Sequence, residues 1–181
     1  KLSERHIRAV DRLLFSECPS ARVSLPGGFT ARREYDRLLL TASSPAAFEP
    51  VTLSVGESAV LQPPGFRVCC EWQEKFSEFQ NTLSTFAVKC DTIGSTTQIL
   101  FRPRRAHDEM RVSGGRKTLK KLMIDRKIPL DRRGLLPVAA DEHGILGVYG
   151  IGVNLDRAAA PGDRAVIIRI EELEKEDSLY D

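Results

Sequence analysis

Turn signals recur through this chain at short intervals, and most of the runs between them are too short for a long helix. Pro26-Gly27-Gly28 separates residues 23–25 from 29–35, and Gly56-Glu57 separates 51–55 from 58–61. Pro63-Pro64-Gly65 precedes 66–72, and Asp141-Glu142-His143-Gly144 joins 136–140 to 145–150. Short runs bounded by Gly and Pro read as strands, and two of them joined by a tight turn read as a hairpin. Residues 38–41, 86–90, 97–101 and 164–170 are further strand candidates. Helical spacing marks residues 2–15, where Ile7, Val10, Leu13 and Leu14 alternate with Arg5, Arg8, Asp11 and Arg12. A second helix is expected near 117–127, ending before Pro129. Phe76, Phe79 and Leu83 suggest a short helix or an ordered connector over 74–83. The pattern predicts an α+β chain of two small modules. A helix and β-hairpin module would occupy 1–84. A mixed domain over 85–181 would pack a basic helix on a small antiparallel sheet.

At 181 residues, 41% apolar and 29% charged, the chain can bury a normal core. No apolar stretch approaches the roughly 20 residues of a membrane-spanning helix. Lys1-Leu2-Ser3-Glu4-Arg5-His6 lacks an initiator Met and the apolar core of a signal peptide. The expectation is a cytoplasmic fragment with no membrane partner. Cys18, Cys69, Cys70 and Cys90 form no CxxC pair, and alternation sends Cys69 and Cys70 to opposite faces of a strand, which suits core or surface thiols. His6, His107 and His143 are scattered, so no metal site is expected. There is no GxSxG, P-loop or His-Glu-x-x-His. Ser113-Gly114-Gly115 lacks the Asp of an ATP-pyrophosphatase loop, because Lys117 stands in its place. Gly147-Val148-Tyr149-Gly150-Ile151-Gly152 lacks the glycine order and the following helix of a dinucleotide fingerprint. No catalytic residue and no cofactor is therefore expected in this chain. A small enzyme that gathers His107, Asp108 and Arg111 in a cleft stays open as an alternative.

The net charge of +2 conceals an asymmetry. Residues 101–133 hold twelve cations against four acids, a net of +8, while the other fifteen cations and twenty-one acids net −6. Such a concentrated positive field attracts phosphates, and nucleic acid is the leading partner class. A solvated basic face, or a stand-alone RNA-binding or protein-interaction module whose basic helix meets an acidic partner, is the alternative. The candidate RNA-binding residues are Arg102, Arg104, Arg105, Arg111, Gly114, Gly115, Arg116, Lys117, Lys120, Lys121, Arg126, Lys127, Arg132 and Arg133. Gly114 and Gly115 read as a tight turn into the basic helix. That places Arg116 and Lys117 at a helix N-terminus, where cations are disfavoured and a bound phosphate would compensate.

These residues carry a resemblance. Phe101-Arg102-Pro103-Arg104-Arg105, then Gly114-Gly115, then Lys117-Thr118-Leu119-Lys120-Lys121-Leu122 follow one another in order. Ile124-Asp125-Arg126-Lys127-Ile128-Pro129, Arg132 or Arg133, Leu136-Pro137-Val138 and 145–150 complete the series. Order and spacing resemble the C-terminal part of bacterial tRNA(Ile)-lysidine synthetases. Residues 3–15, 25–29 and 33–38 are similar to the segment that follows the catalytic domain in that family. The resemblance is weakest over 49–94. One departure stands out: after the Arg cluster the family has Pro-Gly-Asp-Arg, where this chain has Ala106-His107-Asp108-Glu109. The resemblance implies a full-length ligase that uses ATP and magnesium, held in an N-terminal domain, to join lysine to the wobble cytidine of isoleucine tRNA with the CAU anticodon. It implies that this piece holds the tRNA body, by its acceptor end, and it leaves a homodimer open.

Overall fold

The computed structural model describes residues 2–18, 21–26, 29–41, 47–63, 65–77, 81–89 and 98–173. The chain divides into two compact units, Lys1–Ala46 with Pro129–Asp131, and Ala47–Ile128 with Arg132–Asp181.

The smaller unit begins with α1 (Glu4–Leu14), whose start is closed by Ser3 and His6. The Ser3 N–H donates to His6 Nδ1 at 3.1 Å, and the Ser3 hydroxyl lies 2.7 Å from the same nitrogen. His6 thus takes the place that Glu or Gln fills in a capping box. Three antiparallel strands follow, β1 (Arg22–Ser24), β2 (Thr30–Glu34) and β3 (Arg37–Thr41), in the order β1-β2-β3. The helix packs on β1 and β2 through buried Leu13, and Ala31 of β2 is fully buried. Arg33 closes the other end of the helix by donating to the carbonyls of Leu14, at 3.0 Å, and Ser16. Those carbonyls have no partner inside the helix, and a cation there also meets the negative end of its dipole. Segment Pro129–Asp131 joins this unit, with Asp131 2.6 Å from Arg32. The expected hairpin is present as β1 and β2, while Gly27 and Gly28 of its turn lie outside the described residues.

The larger unit contains β4 (Val51–Ser54), β5 (Ser58–Leu61), β6 (Phe66–Gln73), β7 (Thr85–Lys89), β8 (Gln98–Arg102), β9 (Glu109–Val112) and β10 (Gly115–Thr118). It continues with α2 (Leu119–Asp125), β11 (Val138–Asp141), β12 (Gly144–Val148), β13 (Gly152–Val153) and β14 (Ala165–Glu172). Two antiparallel sheets form, in the orders β13-β12-β11-β8-β4 and β5-β6-β14-β7, and β9 with β10 makes a separate hairpin. One core joins both sheets and the helix: Phe66, Val68, Ile168 and Ile170 from one sheet, Phe101, Val138 and Leu146 from the other, and Leu119, Leu122 and Met123 from α2. Cys70 lies in this core, where burial and the neighbouring Cys69 push its thiol up to about 12, so it stays protonated. Gly147 belongs to the packing, because a Cβ there would come within 2.4 Å of the Phe86 ring.

The architecture is α+β, with three differences from the sequence reading. The expected boundary at 84/85 falls inside the larger unit, because β14 pairs along eight residues with β6 and along five with β7. The unit division comes instead after Ala46. Second, no helix forms among the described residues of 74–83. Phe76 is instead buried against Ala87, Ala165 and Ile167, with its N–H on the Asp163 carbonyl at 2.8 Å. Phe79 lies outside the described residues. Third, the basic helix starts at Leu119 with Thr118 as its N-cap, and the expected loop 102–115 contains β9 and the first residue of β10.

The end of α2 carries a strained residue. The Ile128 N–H bonds to the Met123 carbonyl and the Lys127 N–H to the Ile124 carbonyl, both at 2.9 Å. This is a Schellman closure. Its left-handed position, which favours glycine, is occupied by Lys127 at φ 54°. Replacing Lys127 by Gly removes a Cβ clash and is expected to raise stability by about 1 kcal/mol in a urea melt.

Candidate nucleic-acid interface

Strand β8 ends in Phe101 and Arg102, and Arg102 turns inward. Its two Nη groups donate to the Asp108 carboxylate at 2.7 and 2.8 Å, and Nη1 also reaches the Pro103 carbonyl at 3.1 Å. Asp108 accepts the Arg105 N–H at 2.6 Å as well. Burial alone would raise the Asp108 carboxyl, but the hydrogen bonds from Arg102 and from the Arg105 N–H, with both positive charges, outweigh it and hold it below its ordinary value. Arg102 is 5% exposed, so it braces the loop and is unavailable to RNA. The loop reverses at His107, which sits in the left-handed region at φ 68°. That turn still forms without a glycine, since His is among the residues that tolerate the conformation. Arg105 is exposed, while Arg104 is half-buried with no hydrogen bond at Nε.

In the hairpin, Arg111 lies directly opposite Arg116, and Met110 opposite Lys117. Alternation puts Met110, Val112 and Lys117 on the core side, with Glu109, Arg111 and Arg116 on the outer side. Two like charges opposite each other repel. Acids outside the pair relieve this: Asp156 lies 2.8 Å from Arg116 and 3.7 Å from Arg111, and Glu109 lies 3.2 Å from Arg116. The hydrogen bond to Glu109 and the charge of Asp156 raise the Arg116 pKa, keeping it charged. The loop that carries Asp156 is anchored by buried Asn154, whose Oδ1 accepts the N–H groups of Arg111 and Asp156 and whose Nδ2 donates to the Ile145 carbonyl.

Gly114 and Gly115 shape the hairpin tip, with Gly115 at φ +94°. They do not turn into the helix. Arg116 and Lys117 therefore sit on a strand, and the argument for a phosphate at the helix N-terminus loses its geometric basis. Lys117 is half-buried and paired with Asp125 at 3.6 Å. Arg126 donates to the Gly150 carbonyl, Arg133 to the Ile128 carbonyl, and Arg132 pairs with Glu172. Lys120, Lys121 and Lys127 are exposed and have no acidic partner among the described residues, and Arg105 is exposed with its charge acting on Asp108. No group of three or more His, Cys, Asp or Glu able to hold a metal occurs among those residues. None of their helices is long and apolar enough to cross a membrane.

Residues 99–171 match the family described as the TilS substrate C-terminal domain. Over this stretch the chain is similar to that domain. A crystal structure of a TilS C-terminal domain superimposes with a TM-score of 0.59 at 26% identity, covering 70% of this chain and all of that one. The tRNA(Ile)-lysidine synthase of Geobacillus kaustophilus is 29% identical over 171 residues, 92% of this chain and 36% of that protein. The bifunctional protein TilS/HprT of Listeria monocytogenes is 30% identical over 176 residues, 93% of this chain and 26% of its own length. The chain thus spans about a quarter to a third of these relatives. All fourteen candidate residues fall inside the stretch matched as the TilS substrate C-terminal domain.

Sequence reasoning missed Asn154 and Asp156, which lie some forty residues from the arginines they organise, with no local pattern to announce them. Asp108 stood out as part of a departure from the family turn and as a member of the alternative His107, Asp108 and Arg111 cleft, not as the partner of Arg102. Replacing Asp108 by Asn leaves Arg102 buried without its counter-charge and is expected to cost about 3 kcal/mol in a denaturant melt. Because the folded Asp108 carboxyl is lowered, its stabilisation is full above the unfolded carboxylate value of about 4 and is lost as pH falls through the folded value. The Asn variant should lack that acid-side loss.

Proposed function

We propose that this chain is the tRNA-holding part of a tRNA(Ile)-lysidine synthase. In this reading the full-length protein is a cytoplasmic ligase that uses ATP and magnesium to join lysine to the wobble cytidine of isoleucine tRNA with the CAU anticodon. The 181 residues contain no nucleotide loop, so lysidine formation is assigned to another part of the protein, and this chain alone is inactive. The observation that carries the reading is the TilS substrate C-terminal domain match over a stretch whose Lys120, Lys121 and Lys127 remain exposed without acidic partners and whose Arg105 is exposed as well. Unpaired cations release counterions from RNA on binding, and duplex RNA is held by its shape, phosphates and 2′-hydroxyls more than by base edges.

The test is binding of this chain to isoleucine tRNA with the CAU anticodon and to an unrelated tRNA, each across a salt series. Binding weakens as salt rises. The triple replacement of Arg105, Lys120 and Lys121 by Ala is expected to reduce the slope of log K against log salt by about 2. Capture of an acidic protein without tRNA binding at low salt would overturn the proposal.

A further inference from the structure

We infer that Asp156 is a positioning residue for an RNA-binding arginine pair, Arg111 and Arg116, on the outer face of the β9–β10 hairpin. The inference rests on the RNA reading above and adds how one part of the surface is organised. Four charged groups make the cluster: Arg111, Arg116, Glu109 and Asp156. Its formal charge is zero, so what it offers a polyanion is fixed geometry instead of net attraction.

The geometry is held from behind. Arg111 and Arg116 are direct cross-strand neighbours and would splay apart by repulsion. Asp156 reaches both, with Oδ2 accepting from Arg116 at 2.8 Å and Oδ1 3.7 Å from Arg111 Nε. The backbone that carries the carboxylate is itself anchored, because Asn154, 8% exposed, accepts the Asp156 N–H at 3.2 Å and the Arg111 N–H at 3.0 Å through one oxygen. The Leu155 N–H also donates to the Arg111 carbonyl at 3.0 Å. The strand and the segment that carries Asp156 are therefore tied together.

Donors remain for a ligand. A guanidinium carries five N–H groups in a planar fork. Arg116 directs one from Nη1 to Glu109 and one from Nη2 to Asp156, which leaves three. Both Nη groups of Arg111 have no acceptor among the described residues. The two side chains are 59% and 60% exposed. Two arginines held side by side with unsatisfied forks suit the paired oxygens of phosphodiesters, and phosphate contacts set the register of a protein on a duplex without reading sequence. The ligand is the backbone of an RNA helix.

The test uses the sign of the effect. Replacing Asp156 by Asn removes one negative charge and so raises the net charge by one, and if Asp156 only neutralises the arginines, affinity for a tRNA and for a plain RNA duplex rises and the salt slope steepens. If Asp156 positions them, affinity falls about fivefold at fixed salt despite the added charge, and the slope becomes shallower by about 1. Asp156→Glu is expected to restore part of the affinity. Arg116→Lys, which keeps the charge and loses the fork, should lose affinity to the same extent, and combining it with Asp156→Asn should add nothing. Affinity that is unchanged or raised in Asp156→Asn, or wild-type binding by Arg116→Lys, overturns the inference. If Asp156→Asn fails to fold, the Arg116→Lys result decides alone. Loss of tRNA binding in the wild-type chain would instead overturn the proposed function itself.

Discussion

Strand β14 is bonded along its whole length to β6 and on its other edge to β7, and the larger unit depends on that double pairing. The strand is chemically suited to the place: Ala165 through Ile168 and Ile170 are all buried. Val166, Ile168 and Ile170 face the main core, while Ala165 and Ile167 pack on the other side against Phe76 and Ala87. A strand buried on both faces reads as a near-continuous apolar run instead of an alternation. Because β6 lies about a hundred residues and β7 about eighty residues upstream, this sheet cannot be completed until residues 165–172 are present, a long-range closure of the kind that slows folding.

The basic segment is less free than its composition suggests. Arg102 is buried against Asp108, Arg116 is held between Glu109 and Asp156, Lys117 meets Asp125, and Arg132 meets Glu172. Arg126 and Arg133 donate to backbone carbonyls. Charge density along a sequence thus overstates the field that a partner meets, since folding brings acids from β14 and from the 154–157 loop beside the cations. The remaining unpaired side chains lie on and just after α2. At the exposed pairs a salt bridge is screened by water, so an arriving phosphate can compete with the acid. At Arg102, shielded from water, it cannot.

The amino-acid sequence by itself determined the elements with strong local signals. The amphipathic spacing of Ile7, Val10, Leu13 and Leu14 gave α1, and Asp141-Glu142-His143-Gly144 gave the β11–β12 hairpin, because periodicity and turn chemistry act within a few residues. It also determined the α+β class and the basic character of 101–133. Tertiary structure alone decided the rest. The unit boundary moved from 84/85 to Ala46 because a strand near the C-terminus pairs across it. Arg116 became a strand residue because Gly114 and Gly115 close a hairpin that sets Arg116 opposite Arg111. Which arginines are braced and which are open was set by Asp108, Asn154 and Asp156, and no local pattern encodes those partners, since electrostatic pairing follows distance in space and not separation along the chain.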